Sequence, residues 1–130
     1  CIIKAIQYVF HKNMVKDNCV FCKIIRKELR GAIKIETNNF IAMLDAHPKA
    51  IGHTLIIPKK HYVTILDIPD KLAEEMVNLT KKVASSLLEE KKGDGFNIIM
   101  NNLQPAGQAV MHAHLHLIPR KEGDGLIMIA

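Results

Sequence analysis

The chain has 130 residues, 48% hydrophobic and 24% charged, and its 18 Lys+Arg against 13 Asp+Glu give a formal charge of +5. That length suits a single domain with a real core. Seven Gly and five Pro exclude collagen-like and low-complexity classes, and three Cys make no secreted disulfide framework. No apolar run approaches the roughly 20 residues that cross a bilayer, and without clustered aromatics the positive charge does not argue for a nucleic-acid platform.

Residues 1–16 are expected to be an N-terminal extension outside the fold, non-native or poorly ordered, because the chain opens on Cys1 and Met14 follows late. Its first ten residues, apolar but carrying Lys4, lack the charged start and small-residue cleavage site of a signal peptide. Residues 17–130 are expected to form the folded domain. After Cys19-x-x-Cys22, the spacing of Ile24, Ile25 and Leu29 predicts a short helix over 22–28, ended by Gly31. Ile33–Glu36 alternates as a strand, and Thr37-Asn38-Asn39 turns into a second strand, Phe40–Leu44. His47-Pro48 and Gly52 mark a loop before a buried strand, His53–Ile57, stopped by Pro58. A long helix starts over 67–70 with Pro69 in its first turn, buries Leu72, Met76, Leu79, Val83 and Leu87, and ends at Lys91-Lys92-Gly93. Asn97–Met100 reads as a strand, 101–107 as a polar loop and Ala109–Ile118 as another strand. Several antiparallel strands around one long helix make an α+β domain.

Seven His stand beside no Trp, and six of them lie between positions 47 and 116. The densest run is Val110-Met111-His112-Ala113-His114-Leu115-His116-Leu117-Ile118. On a strand, alternate side chains share a face at roughly 6.5–7 Å, so three imidazoles line one side while Ala113, Leu115 and Leu117 fill the other. Buried imidazoles need hydrogen-bond partners or a metal, so this face does chemistry. Two chemistries remain open: a His-x-His metal clip with an activated water, or a nucleophilic middle imidazole oriented by its neighbours. The preceding loop, 101–108, contains Gly107, and successive N–H groups from Gly107 to Val110 can cradle a phosphate. Cys19-x-x-Cys22 signals zinc or redox chemistry, with no thioredoxin-like context around it.

Together these segments resemble the histidine triad (HIT) superfamily, with its His-φ-His-φ-His-φ-φ signature at 112–118. The resemblance extends through Cys19–Ile25, Asp45 and Gly52-His53-Thr54-Leu55-Ile56-Ile57-Pro58-Lys59-Lys60-His61, covering roughly residues 18–127. It is nearest to the Hint-like and prokaryotic HIT hydrolase branch. The resemblance implies a five-stranded antiparallel sheet with one long and one short helix, continued across a homodimer in the cytoplasm. It implies attack by His114 on the α-phosphate of a purine nucleotide, adenosine phosphoramidates before dinucleoside polyphosphates. His116 and His53 would sit at the reacting centre. Asp45 would hold the ribose hydroxyls, and Asn101, Gly107, Gln108, Ala109 and Val110 would line the phosphate subsite. Ile24, Phe40 and Ile41 would bound the base pocket. A structural Zn²⁺ on Cys19, Cys22, His61 and His112 is implied by prokaryotic relatives. Ala109 stands where several Hint-type relatives have a Ser that helps protonate an amine, which puts fast phosphoramidate cleavage in question. The rival readings are a non-enzymatic, zinc-stabilised nucleotide-binding adaptor and a hydrolase with a His-ligated catalytic zinc. His11 and His47 are expected at the surface.

Overall fold

The computed structural model describes residues 18–127; the extension expected over 1–16, with Cys1 and His11, lies outside them. In chain order the elements are α1 (Val20–Ile25), β1 (Ile33–Glu36), β2 (Phe40–Leu44), β3 (Thr54–Pro58), α2 (Asp70–Glu89), β4 (Gly95–Ile99) and β5 (Leu115–Arg120). Short 3₁₀ turns occupy Ile65–Asp67 and Gln104–Ala106. The five strands form one antiparallel sheet in the order β1-β2-β3-β5-β4, the expected α+β arrangement.

The centre of the sheet is apolar on both faces, as the unbroken apolar runs of β2 and β3 require. On one face α2 lays down Met76, Leu79, Val83 and Leu87 against Phe40, Ala42, Ile56, Leu115 and Leu117. On the other, α1 brings Cys19, Phe21, Cys22 and Ile24 onto Ile41, Met43, Leu55 and Ile57. Leu117 is fully buried, and truncating such a side chain to Ala costs about 2–5 kcal/mol. Among the described residues, no helix is long and apolar enough to cross a membrane.

Several boundaries move from their expected places for local reasons. The short helix occupies 20–25 rather than 22–28, because Cys19 caps it: its Sγ accepts the Cys22 N–H at 3.3 Å. Lys27 then turns out of the helix at a positive φ of 65°. The start of α2 is preceded by a separate 3₁₀ turn, where Thr64 and Asp67 form a reciprocal capping box, and Pro69 takes the N-cap position. β4 begins at Gly95 and ends at Ile99, short of Met100.

The largest correction concerns the strand expected over 109–118, which begins only at Leu115. Pro58 ends β3 with no N–H to offer, and its carbonyl is taken by the His112 ring at 2.7 Å. No ladder continues there, and among the described residues the backbones of 110–114 and 58–62 are joined by the bond from Ala113 N–H to the Tyr62 carbonyl at 2.7 Å. The facing survives the loss of the ladder. Ala113, Leu115 and Leu117 still meet α2, and Phe21 of α1 lies edge-on to His112 and His114.

Candidate active site and metal centre

Three adjacent strand ends bring one group of side chains together. Asp45 follows β2, His53 precedes β3, and the Asp45 N–H donates to the His53 carbonyl at 3.0 Å, so the two are cross-strand neighbours. His116 lies in β5 opposite Leu55, which places it diagonally across from His53. His53 Nε2 is 3.0 Å from His116 Nδ1 and 3.4 Å from an Asp45 oxygen, and that same oxygen is 3.8 Å from His116 Nδ1. The His114 ring stands 5.0 Å from that of His116.

Hydrogen-bond direction fixes where each proton sits. A carbonyl only accepts, so His114 Nδ1, 2.7 Å from the His112 carbonyl, carries the ring proton. His114 Nε2 is therefore left as a lone pair. At His53 the order is reversed: the Lys49 backbone N–H donates to Nδ1 at 3.1 Å, so the neutral ring keeps its proton on Nε2 and gives it to His116 Nδ1. His116 in turn carries its own proton on Nε2. Burial is the first cause that lowers the proton affinity of all three rings, and at His114 the bond to the His112 carbonyl and the charge of Asp45 oppose it. His116 is pushed down to about 4, with His114, His53 and Lys49 adding to the effect and Asp45 opposing it.

The loop expected to hold phosphate is shaped by Gly107, whose φ of 94° ends the Gln104–Ala106 turn in a conformation that side chains resist. Asn101 Nδ2 donates to the Gly107 carbonyl at 3.4 Å. Gln108 is buried, and its amide accepts from the Leu103 N–H at 2.6 Å and donates to the Val63 and Val110 carbonyls at 2.6 and 3.0 Å. Its side chain therefore holds the loop in shape. Among the described residues the Ala109 and Val110 N–H groups have no acceptor. Of the three residues expected around a base, Phe40 and Ile41 are fully buried on opposite faces of the sheet, so they cannot line one pocket. Ile24 packs on the Ile41 side. His47 is exposed, and its N–H donates to Asp45 at 2.9 Å.

A second cluster joins Cys19, Cys22, His61 and His112, whose ligand atoms all lie within 4.8 Å of one another. Cys19 Sγ is 3.3 Å from His112 Nδ1, and Cys22 Sγ is 3.2 Å from His61 Nδ1 and 3.5 Å from His112 Nδ1. A tetrahedral zinc, bonded at about 2.3 Å to sulfur and about 2.0 Å to nitrogen, sets such pairs about 3.5 Å apart. The donor chemistry also fits. His112 Nε2 must carry the ring proton to bond the Pro58 carbonyl, which turns the Nδ1 lone pair toward the thiols, the usual outer-shell arrangement of a ligating imidazole. The trio of Asp45, His53 and His116 is equally compact, but its donors do not fit a cation. A metal on His53 Nε2 would have to displace a proton from a ring whose other nitrogen already accepts a backbone N–H. The donors of the first cluster fit a metal, and those of the second do not.

Two contributors carried no signal in the sequence. Lys49 acts through its backbone, and Phe21, although inside the Cys motif, acts by packing on the two imidazoles.

The chain is 44% identical over 112 residues to an uncharacterised HIT-like protein of Methanocaldococcus jannaschii, spanning 85% of this chain and 84% of that one. It is 42% identical over 111 residues to an adenosine 5'-monophosphoramidase of Saccharomyces cerevisiae, spanning 85% of this chain and 68% of the yeast protein. Among solved structures, a zinc-bound histidine triad family protein from Mycobacterium smegmatis superimposes with a TM-score of 0.82 at 37% identity, over 87% of this chain and 82% of that one. The HIT domain family pattern itself matches residues 26–123. This chain belongs to the HIT family.

Proposed function

We propose that this protein is a nucleotide hydrolase that attacks the α-phosphate of a purine nucleotide, an adenosine phosphoramidate first among them, and transfers the nucleotidyl group to His114 and then to water. The observation that carries the reading is the 2.7 Å bond from His114 Nδ1 to the His112 carbonyl, which leaves Nε2 as a neutral nucleophile. The yeast relative's activity supports the same substrate class.

In the first step the bond from His114 Nε2 to phosphorus forms as the phosphorus–nitrogen bond breaks, and the electron pair stays on the leaving nitrogen. An anionic phosphate beside His53 and His116 favours their protonated form. The pair therefore takes up one proton with the substrate, at His116 Nδ1. The His53–His116 bond opens and both inner N–H groups face the Asp45 oxygen, 3.4 and 3.8 Å away. One proton then passes to the leaving amine from His116 Nε2. In the second step water attacks phosphorus, the His114–phosphorus bond breaks back to a lone pair, and the neutral pair accepts the water proton. The Ala109 and Val110 N–H groups would receive the phosphate oxygens, and Asp45 the ribose hydroxyls. Zinc on Cys19, Cys22, His61 and His112 would supply structure and would fix the ring of His112, whose carbonyl bonds His114 Nδ1. A second copy pairing along β4, where Phe96 and Ile98 are exposed beside Val77 of α2, would extend the sheet as the family resemblance implies.

Replacing His114 by Ala tests the reading. Hydrolysis of adenosine phosphoramidate should fall by about 10³-fold or more, while nucleotide binding measured by calorimetry persists. Full turnover in the variant would sink the proposal, and wild-type binding without turnover would favour the adaptor.

A further inference from the structure

The reacting end of the site is short of positive charge. Burial lowers the proton affinity of His53 and His116, and the formal charge paired with them is the carboxylate of Asp45. The cation whose charge acts on both His53 and His116 is Lys49. Its backbone is pinned to His53 Nδ1 at 3.1 Å. Its side chain is exposed and makes no ion pair among the described residues. Its ammonium is carried on a flexible four-carbon stem that starts beside the imidazole pair.

We propose that Lys49 determines which leaving groups the site accepts, placing a mobile ammonium beside the group that departs from phosphorus and so favouring anionic leaving groups. The proposal rests on the transfer to His114 set out above. In that transfer the electron pair of the broken bond stays on the leaving atom. An amine must also gain a proton from the His53–His116 pair. A sulfate departs as a dianion and needs none, and its developing charge is what a nearby ammonium stabilises. Lys49 acts in the opposite sense on the amine, because its charge disfavours proton uptake by the same two rings. One side chain thus tilts the site toward anionic and away from neutral leaving groups.

The test compares kcat/KM for adenosine 5'-phosphosulfate and adenosine 5'-phosphoramidate in wild type, Lys49→Gln and Lys49→Arg at low ionic strength. Lys49→Gln should lose about 10-fold on the phosphosulfate, the scale of one hydrogen bond to a charged group. On the phosphoramidate it should rise, and Lys49→Arg should keep the wild-type ratio. Added salt should narrow the gap between wild type and Lys49→Gln. Equal losses on both substrates, no loss on either, or wild-type turnover of the phosphoramidate alone would overturn the proposal. If wild type turns over neither substrate, the transfer to His114 is wrong, and Lys49 is then judged by equilibrium affinity. Wild type should bind the phosphosulfate about 10-fold more tightly than Lys49→Gln, and equal affinities would overturn the assignment.

Discussion

At one end of the segment from His112 to His116, two thiols and two imidazoles converge; at the other, a carboxylate and two imidazoles do. Distance alone does not separate the two groups, since each packs its ligand atoms within 4.8 Å. Hydrogen bonds do. His112 donates its outer N–H to a carbonyl and turns a lone pair inward, whereas His53 accepts a backbone N–H and turns a proton inward. The lesson is that a cluster of imidazoles is read by the partner on the far side of each ring. A carbonyl there makes a ligand or a nucleophile, and an N–H makes a proton donor. His114, between the two clusters, follows the carbonyl rule, which leaves Nε2 with the lone pair that the proposed reaction uses.

Breaking one cluster at a time should separate these roles. Cys22→Ser should lower bound zinc well below one per chain and destabilise the fold by several kcal/mol, since metal-binding energy at a structural site is folding energy. Asp45→Asn should leave zinc content unchanged. Equal metal loss in both variants, measured by elemental analysis and urea unfolding, would erase the distinction.

A smaller effect comes from the proton cluster. His116 stays neutral in the fold down to about pH 4, whereas an unfolded imidazole binds its proton below about pH 6.5. The unfolded state therefore binds more protons between these values, and stability is lost as pH falls through that window. His116→Gln should flatten that decline by up to about 1.4 kcal/mol per pH unit, read from urea midpoints at pH 7 and pH 5. An unchanged slope would mean that His116 is not held neutral. The smallest effect is expected at Ala109. Ala109→Ser restores a hydroxyl beside the leaving group and should raise phosphoramidate turnover by a few-fold; a loss would show that the backbone N–H alone was optimal there.

Much of this architecture was legible in the sequence because it follows from periodicity. The apolar stripe from Leu72 to Leu87 required a helix, and the alternation of Ala113, Leu115 and Leu117 with the three histidines required two faces even where no strand forms. What escaped were the features that depend on backbone partners. Pro58 shortened β5 by giving its carbonyl to a ring rather than to a neighbouring strand. Lys49 joined the site through an N–H that every residue except proline carries. The amide of Gln108 was expected to line the phosphate subsite, yet it is spent inside the loop because three backbone groups of residues 63, 103 and 110 converge on it. The separation of Phe40 from Ile41 follows from β2 being buried on both faces, where neighbours in sequence cannot share a pocket.

The central claim is a covalent bond between the nucleotide and His114 Nε2. Enzyme quenched with denaturant during turnover of adenosine phosphoramidate, digested and examined by mass spectrometry, should carry one adenylyl group on the peptide containing His114, and none in His114→Ala. Steady turnover with no adduct, or an adduct on His116 or His53 instead, would contradict the account.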